Sequence, residues 1–431
     1  MSLQARTLLR VGKNALARLG AQAWAKLLSL VLVAMVARYE PAEGLGRYVL
    51  VLTLVGFAGA ASDLGLNIYL TRETARAADV AQQRRLLGTV LPLKLGLSVV
   101  GLLALLAVSQ IAAFPGATLS LVPLGGLLLL PEAANGALRA WVNGRQRMEI
   151  SGAVDMVVRL LAVGASFVAL MAGHGVAGVL VSTLAATVAG VVLYAAILRR
   201  WQSSPQWRWA PAAWRECLTE SYPFALTSIA AMAYSRVDLL LIGLWQDELA
   251  AGWYGAAYKL WETVGLLPAS LLEALFPEMS RLASKPDGRE RLGALFSRAR
   301  WALLGGGLLL AAAGIVAAGA LIPLVYGGGG AYAPAAPPFR LLACAIPAMF
   351  LYLLSGHVLY ALGQQRRVTV AMLIVGLVNV ALNLVAIPTW GIMGAAAVAL
   401  FSEWLLVAML LPQAHRALRT RRSTASATTS G

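Results

Sequence analysis

The run SYPFALTSIAAMAYSRVDLLLIGLWQ at 221–246 is long and apolar enough to cross a bilayer, yet it holds Arg236 and Asp238 in its interior. A charge at the centre of a spanning helix costs about 2.5–3.5 kcal/mol on insertion scales, so each one calls for a partner or an aqueous path. Residues at i and i+2 point about 200° apart on a helix, so these two do not neutralise each other locally. Tyr234 and Asp238 share a face, and Arg236 shares another with Met232 and Leu240. Two other couples are better placed. Asp155 and Arg159 are spaced i,i+4 and Lys259 and Glu262 i,i+3, so each can close on one helix face. For both couples a self-neutralised structural pair and a functional role remain open. Lys26 has no acid at i±3 or i±4 and needs another helix or a watery cavity. Lys94, near the end of its apolar run, is read as snorkelling to the interface. Tyr254, Tyr258 and Glu262 recur every four residues. Tyr254 suits an interfacial belt, whereas Tyr258 and Glu262 lie deeper and suggest a polar wall. Tyrosine combines a ring face with a hydroxyl, a combination suited to sugar rings.

The elements that carry these residues are membrane spans. The chain has 431 residues, 59% hydrophobic and only 13% charged, with a mean hydropathy of +0.74. Soluble domains run nearer 45–50% apolar and about 25% charged. About twelve segments are long enough to cross roughly 30 Å of hydrocarbon: 16–37, 46–70, 87–110, 117–139, 150–172, 176–198, 220–244, 251–275, 300–323, 336–361, 368–387 and 392–413. The net charge of +16 could signal nucleic-acid binding, but most of the basic residues fall in every second loop. Arg72, Arg76, Arg84 and Arg85 make one such loop, Arg139, Arg145 and Arg147 the next, and the loop at 281–300 is the richest. The alternate loops, such as FPGATLS and PTWG, are nearly free of them. This is the positive-inside pattern for an even number of spans with both termini in the cytoplasm, and it removes the nucleic-acid reading. The first apolar stretch is long and no small-residue cleavage site follows, so no cleavable leader is expected. Two cysteines and three scattered histidines suggest neither a disulfide framework nor a metal site. GGGG at 327–330 lacks the Gly-Lys-Ser/Thr of a phosphate loop.

The halves resemble each other. EGLGRYVLVLTL near 43–54 matches AAGWYGAAYKLW near 250–261, RRLLG at 84–88 matches ERLGA at 290–294, and WVNGRQR at 141–147 matches YALGQQRR at 360–367. The expected organisation is a cytoplasmic tail over 1–15, a six-helix bundle over 16–198, an amphipathic connector over 199–219, a second bundle over 220–413 and a basic, disordered tail over 414–431. The connector, with four tryptophans and four arginines, suits the cytoplasmic interface. Both halves begin in the cytoplasm, so the repeat is parallel; sites in such transporters lie between halves near mid-membrane. The expected fold class is all-α, two six-helix bundles related by a parallel pseudo-twofold around a central cavity. Pro131 and Pro268 are candidate flex points or static kinks.

The stretches SYPFALTSIAAMAYSRVDLLLIG and AAGWYGAAYKLWETVGLLPASLLEALFPEMSRLA resemble the signature half of Wzx-type polysaccharide flippases. YALGQQRRVTVAMLIVGLVNVALNLVAIPTWGIMGAAAVALFSEW resembles their C-terminal section, and EGLGRYVLVLTLVGFAGAASDLGL with TRETA their opening helices. The resemblance spans roughly 14–413 and implies the fold of the multidrug/oligosaccharidyl-lipid/polysaccharide exporter superfamily. It implies a polyprenyl-diphosphate-linked oligosaccharide as substrate, carried from the cytoplasmic to the periplasmic leaflet of the bacterial inner membrane by alternating access. The family has no short universal site motif, so residue roles rest on the charge argument. A diphosphate needs cations, and Arg236, Lys26 and Arg159, with Lys259 weaker, are the candidates; Tyr258 is the candidate sugar platform. Asp238, Glu262 and Asp155 are candidate sites for a coupling proton or sodium ion. No further cofactor is expected. Membrane lipids and polysaccharide assembly enzymes are candidate partners. A multidrug antiporter or a lipid II flippase of the same superfamily is the alternative; the latter commonly carries two further helices that the sequence lacks. The short, nearly uncharged outer loops argue against a membrane enzyme.

Overall fold

The computed structural model describes residues 24–112, 114–285, 288–327 and 330–419. The expected tail over 1–15, positions 16–23 of the first span and the tail beyond 419 lie outside them. The described chain is helical throughout, without a strand. Helix α1 covers 24–39. It is followed by α2 (Ala42–Asp63), α3 (Leu66–Arg76), α4 (Val80–Ile111), α5 (Gly116–Gly126), α6 (Leu129–Gly144), α7 (Met148–Met171), α8 (Gly175–Arg200) and α9 (Pro211–Trp245). Then come α10 (Glu248–Val264), α11 (Leu266–Ala283), α12 (Gly288–Tyr326), α13 (Ala336–Cys344), α14 (Ile346–Ala361) and α15 (Gln365–Arg419).

Among the described residues seven helices are long and apolar enough to cross a membrane, nine with two bent pairs, and joining the other broken helices fits the expected twelve. α2 runs into α3 across Leu64 and Gly65, whose φ values of 46° and 74° interrupt the helix. α10 and α11 are parted at Gly265. The pairs α5–α6 and α13–α14 pass as single spans bent by 41° and 40°. α15 holds two spans parted at Gly391, where φ 57° and ψ −138° leave helical geometry. The breaks have a chemical cause. Pro131, Pro268 and Pro347 each lie within the first three residues of the second segment of a broken span. A proline there withholds the N–H that would bind four residues back and crowds that carbonyl.

By contacts the chain forms two compact units. One runs through Ala256 and takes in Tyr326–Ala331; the other comprises Ala257–Val325 and the chain from Tyr332. In the first unit, α9 packs on α2, α3 and α4. Its core at one end gathers Leu70, Leu87, Leu138, Trp141, Tyr194 and Cys217. Arg145 lies over Trp141 and Trp201, 4.8 and 5.2 Å from the ring centroids. α2 and α10 cross at glycines: a Cβ on Gly46 would strike the Glu248 carbonyl, and one on Gly252 the Ala42 carbonyl. Glu248 ties three helices there, taking Arg47 Nε at 2.5 Å and the Thr118 N–H and hydroxyl at 2.9 and 2.6 Å.

Of the connector tryptophans, Trp207 and Trp209 are exposed, while Trp214 donates Nε1–H to the Thr89 carbonyl at 2.9 Å. Pro92 explains a second tie. Lacking an N–H, it leaves the Gly88 carbonyl without its intrahelical partner, and the Arg208 N–H supplies one at 3.1 Å. In the second unit, α14 is largely buried and packs on α11, α13 and α15. The two halves of α15 are bridged by Asn379 Nδ2–H to Ser402 Oγ at 2.9 Å.

Candidate functional site

Inside the first unit, α1, α2, α6, α7 and α8 enclose a cavity of about 630 Å³. Helical period builds its polar walls. On α6, Glu132, Asn135, Arg139 and Asn143 recur at spacings of three and four, so they form one stripe. On α7, Ser151, Asp155 and Arg159 do the same, and α8 contributes Thr183, Thr187 and Tyr194. Gly190 permits this close approach, because a Cβ there would lie 2.8 Å from Val158 and 3.1 Å from the Asn135 amide. A second hollow of about 180 Å³ shares Glu132 and Arg139 with the first and reaches Asp63, Asn67 and Lys94.

The charges pair across helices. Arg139 Nη1 on α6 lies 3.3 Å from Asp155 Oδ2 on α7. Asp155 is therefore held by Arg139 rather than by Arg159, its i,i+4 neighbour. Lys94 is buried and donates to Asp63 Oδ1 and Asn67 Oδ1, both at 2.6 Å. The snorkelling reading of Lys94 is thus corrected: an acid on α2 holds the ammonium inside the bundle. Among the described residues Arg159 and Glu132 make no hydrogen bond or ion pair, and both line the cavity. Asn135 donates Nδ2–H to the Thr187 carbonyl at 2.8 Å. Its Oδ1 and the Tyr194 hydroxyl are buried with no hydrogen-bond partner among the described residues. Leaving such a group unmet costs about 1–3 kcal/mol.

The other sequence candidates lie elsewhere. Asp238 is 6% exposed and accepts the Tyr254 hydroxyl at 2.5 Å and the Leu239 N–H at 2.7 Å. Its face therefore turns to α10, while Arg236, two residues away, is half-buried on a different face of α9. Lys26 is exposed on α1 and does not line the cavity. In the second unit, Lys259 Nζ pairs with Glu262 Oε2 at 3.0 Å, and Tyr258 meets Trp261 edge-on with centroids 5.2 Å apart. Of the eight candidates, Asp155 and Arg159 alone line this cavity. Sequence reasoning missed Arg139, counted among loop cations, and Glu132. The stripe at 132, 135, 139 and 143 was the available signal.

This arrangement, a polar cavity walled by spanning helices of a broken-span, all-helical fold, defines a membrane transporter. The family described as Polysaccharide biosynthesis protein matches residues 11–283, and Lipid II flippase MurJ matches 153–430. The chain belongs to the polysaccharide biosynthesis protein family, the Wzx-type flippases of the multidrug/oligosaccharidyl-lipid/polysaccharide superfamily. The "Probable low-salt glycan biosynthesis flippase Agl15" of Haloferax volcanii is 23% identical over 361 residues, which make up 84% of this chain and 74% of that one. Among solved structures, "Lipid II flippase MurJ, inward closed conformation" matches with a TM-score of 0.72 at 14% identity, covering 92% of this chain and 86% of that one. An inward-facing multidrug resistance MATE family transporter gives 0.69 at 16% identity, covering 97% of this chain and all of the other. At such identities the structural matches establish the fold alone.

Proposed function

We propose that the protein moves a polyprenyl-diphosphate-linked oligosaccharide from the cytoplasmic to the periplasmic leaflet of a bacterial inner membrane, for surface polysaccharide assembly. The observation that carries this reading is the cavity between spanning helices, which Arg159 lines together with the polar side chains of Asn143, Ser151 and Thr183. A sugar head group cannot enter hydrocarbon without such partners. The lipid tail stays in the bilayer while the two six-helix halves, 16–198 and 220–413, alternate access under a proton or sodium gradient. Both termini lie in the cytoplasm, as the arginine-rich alternate loops support. Arg236, Lys26, Lys259 and Tyr258 are further contacts along the route, and Asp238, Glu262 and Asp155 are candidate ion sites. Polysaccharide assembly enzymes are candidate partners at the membrane.

Deletion in the native cell tests the reading. Lipid-linked glycan accumulates on the cytoplasmic leaflet and surface glycan disappears, both restored by a plasmid copy; normal surface glycan in the deletion strain sinks it. A second reading, transport of lipid II, is favoured by the match to MurJ over 153–430. It shares the polyprenyl-diphosphate chemistry and predicts a different deletion phenotype: lipid II accumulates and cells lyse while surface glycan persists.

A further inference from the structure

The repeated loops WVNGRQR at 141–147 and YALGQQRR at 360–367 treat their cations differently. In the first, the protein itself holds them. Arg145 lies over Trp141 and Trp201 and donates Nη1–H to Ser203 Oγ at 3.2 Å, and Arg147 lies 3.7 Å from Glu149. With Gly144 set on Gly363, Arg147 falls on Arg366 and Glu149 on Val368, so the second copy lacks the acid. Arg366 and Arg367 are exposed, and among the described residues neither guanidinium has a hydrogen bond, ion pair or ring partner. Both line a hollow of about 360 Å³ built from the two ends of α15. Arg366 with Val370 and Arg367 with Ala371 are spaced i,i+4 at its start, and Met409 with Gln413 are spaced likewise near its end. Two unpaired cations thus adjoin apolar surface at the arginine-rich end of two spans.

We propose that this hollow seats the head group of one anionic phospholipid of the cytoplasmic leaflet, its phosphate on Arg366 and Arg367 and the start of its acyl chains on Val370 and Met409. Neighbouring cations repel each other, and a phosphate gripped by both guanidinium forks relieves that repulsion. The apolar wall selects a phosphate that carries hydrocarbon, since a free anion would lose water there and gain nothing in return. Basic pockets between spanning helices on the cytoplasmic side hold lipid head groups by this combination. The chain's own tail is the competing occupant. Residues 420–431 carry Arg421 and Arg422 and no acidic side chain, so the tail would bring like charge to the arginines. A lipid in this seat bridges the start and the end of α15 and makes the protein sensitive to the charge of its bilayer. The inference rests on the placement of the arginine-rich loops in the cytoplasm and on no particular cargo.

The test uses the full chain in detergent, with native mass spectrometry counting bound dioleoyl phosphatidylglycerol and dioleoyl phosphatidylcholine. A basic residue near an anionic head group is worth about fivefold in affinity, so the phosphatidylglycerol preference in wild type should be about 25-fold. Arg366→Gln and Arg367→Gln each lower it about fivefold, and the double variant removes it. The double lysine variant keeps part of it, because charge remains and the fork is lost. Arg208→Gln, which removes an exposed cation of the connector, leaves it unchanged. Met409→Trp fills the hollow with both arginines in place and lowers phosphatidylglycerol binding about tenfold. The glutamine variants change exposed side chains and should melt with wild type in lipid-free detergent, so a lost preference does not report misfolding. Equal binding of the two lipids by wild type, the result expected if the tail fills the hollow, overturns the proposal. So does a preference that survives the double glutamine variant or Met409→Trp. A preference lost equally in Arg208→Gln would show diffuse surface charge, and displacement by millimolar glycerol 3-phosphate a site for the anion alone; either overturns the lipid seat. None of these outcomes touches the deletion phenotype, so the flippase reading stands or falls separately.

Discussion

Tyr254→Phe separates the two roles open to Asp238. The carboxylate is 6% exposed and rests on two donors, the Tyr254 hydroxyl at 2.5 Å and the Leu239 N–H at 2.7 Å. Removing the hydroxyl deletes one hydrogen bond to a charged group in a buried place, a loss of about 1.5–3 kcal/mol. A cooperative unit of about 150–250 residues loses roughly 2–4 °C of Tm per kcal/mol, so the variant should melt roughly 3–12 °C lower in a detergent thermal-shift assay. Asp238→Asn removes the charge and turns the oxygen facing Tyr254 into an amide NH2, which keeps the tie by donating to the Tyr254 hydroxyl oxygen while Oδ1 accepts the Leu239 N–H. If Asp238 serves as a tie between α9 and α10, the Asn variant melts above Tyr254→Phe and restores surface glycan to the deletion strain. If it carries the coupling ion, the Asn variant folds and fails to complement. The double variant completes a cycle, and a tie requires the two losses to be strongly non-additive. A Tyr254→Phe protein that melts within about 1 °C of wild type would refute the energetic argument, because a hydrogen bond of that kind cannot be lost so cheaply.

Gly46→Ala places a Cβ on the Glu248 carbonyl, backbone that cannot swing aside; overpacking of about 1–3 kcal/mol should lower Tm and yield, and an unchanged melt would show that α2 and α10 do not pack so closely. Glu248→Ala strands Arg47 and both Thr118 donors. Because Arg47 is 36% exposed, the loss should be about 2–3 kcal/mol rather than the full figure for a buried pair. Glu248→Gln retains an acceptor for Thr118 and should lose about half as much by the same melt. Pro92→Ala restores an N–H that reclaims the Gly88 carbonyl from Arg208; trypsin should then cut faster after Arg208, and an unchanged cleavage rate would remove the proline from the account.

Much of the fold was legible because hydrocarbon imposes a minimum apolar length and loops collect arginine. The repeat was legible too, and the breaks reinforce it: the second span of each half is interrupted, at Gly65 and at Gly265, and the fourth of each half is bent, by 41° and 40°. Pro131 and Pro268 were visible as candidates, and each sits three residues into the segment that follows a break. What the repeat did not show was where α9 packs. Homology between halves aligns it with α1, whereas packing depends on contacts distant in sequence. Arg72 on Glu220 at 2.5 Å and the space Gly243 leaves for Leu50 bind it to the first unit. No local pattern in 211–245 announces either.

The site was legible where the argument followed helical faces and illegible where it followed distance from the loops. Asp155 and Arg159 were found because they share one helix face, four residues apart, within an apolar run. Arg139 lay at the edge of the expected span 117–139, beside Arg145 and Arg147, and the positive-inside rule absorbed it. That rule counts cations and says nothing of where their side chains turn. Arginine is long enough to enter a bundle from its end, and Arg139 reaches Asp155 on the next helix, sixteen residues on. Lys94 was misread in the same way, since its acid, Asp63, stands on α2 and outside any i,i+4 search. A carboxylate or cation at a span's end is therefore better judged by its neighbours three, four and seven residues away than by its depth. Glu132, Asn135 and Arg139 keep polar company at those spacings, and a residue that only snorkels has no reason to do so.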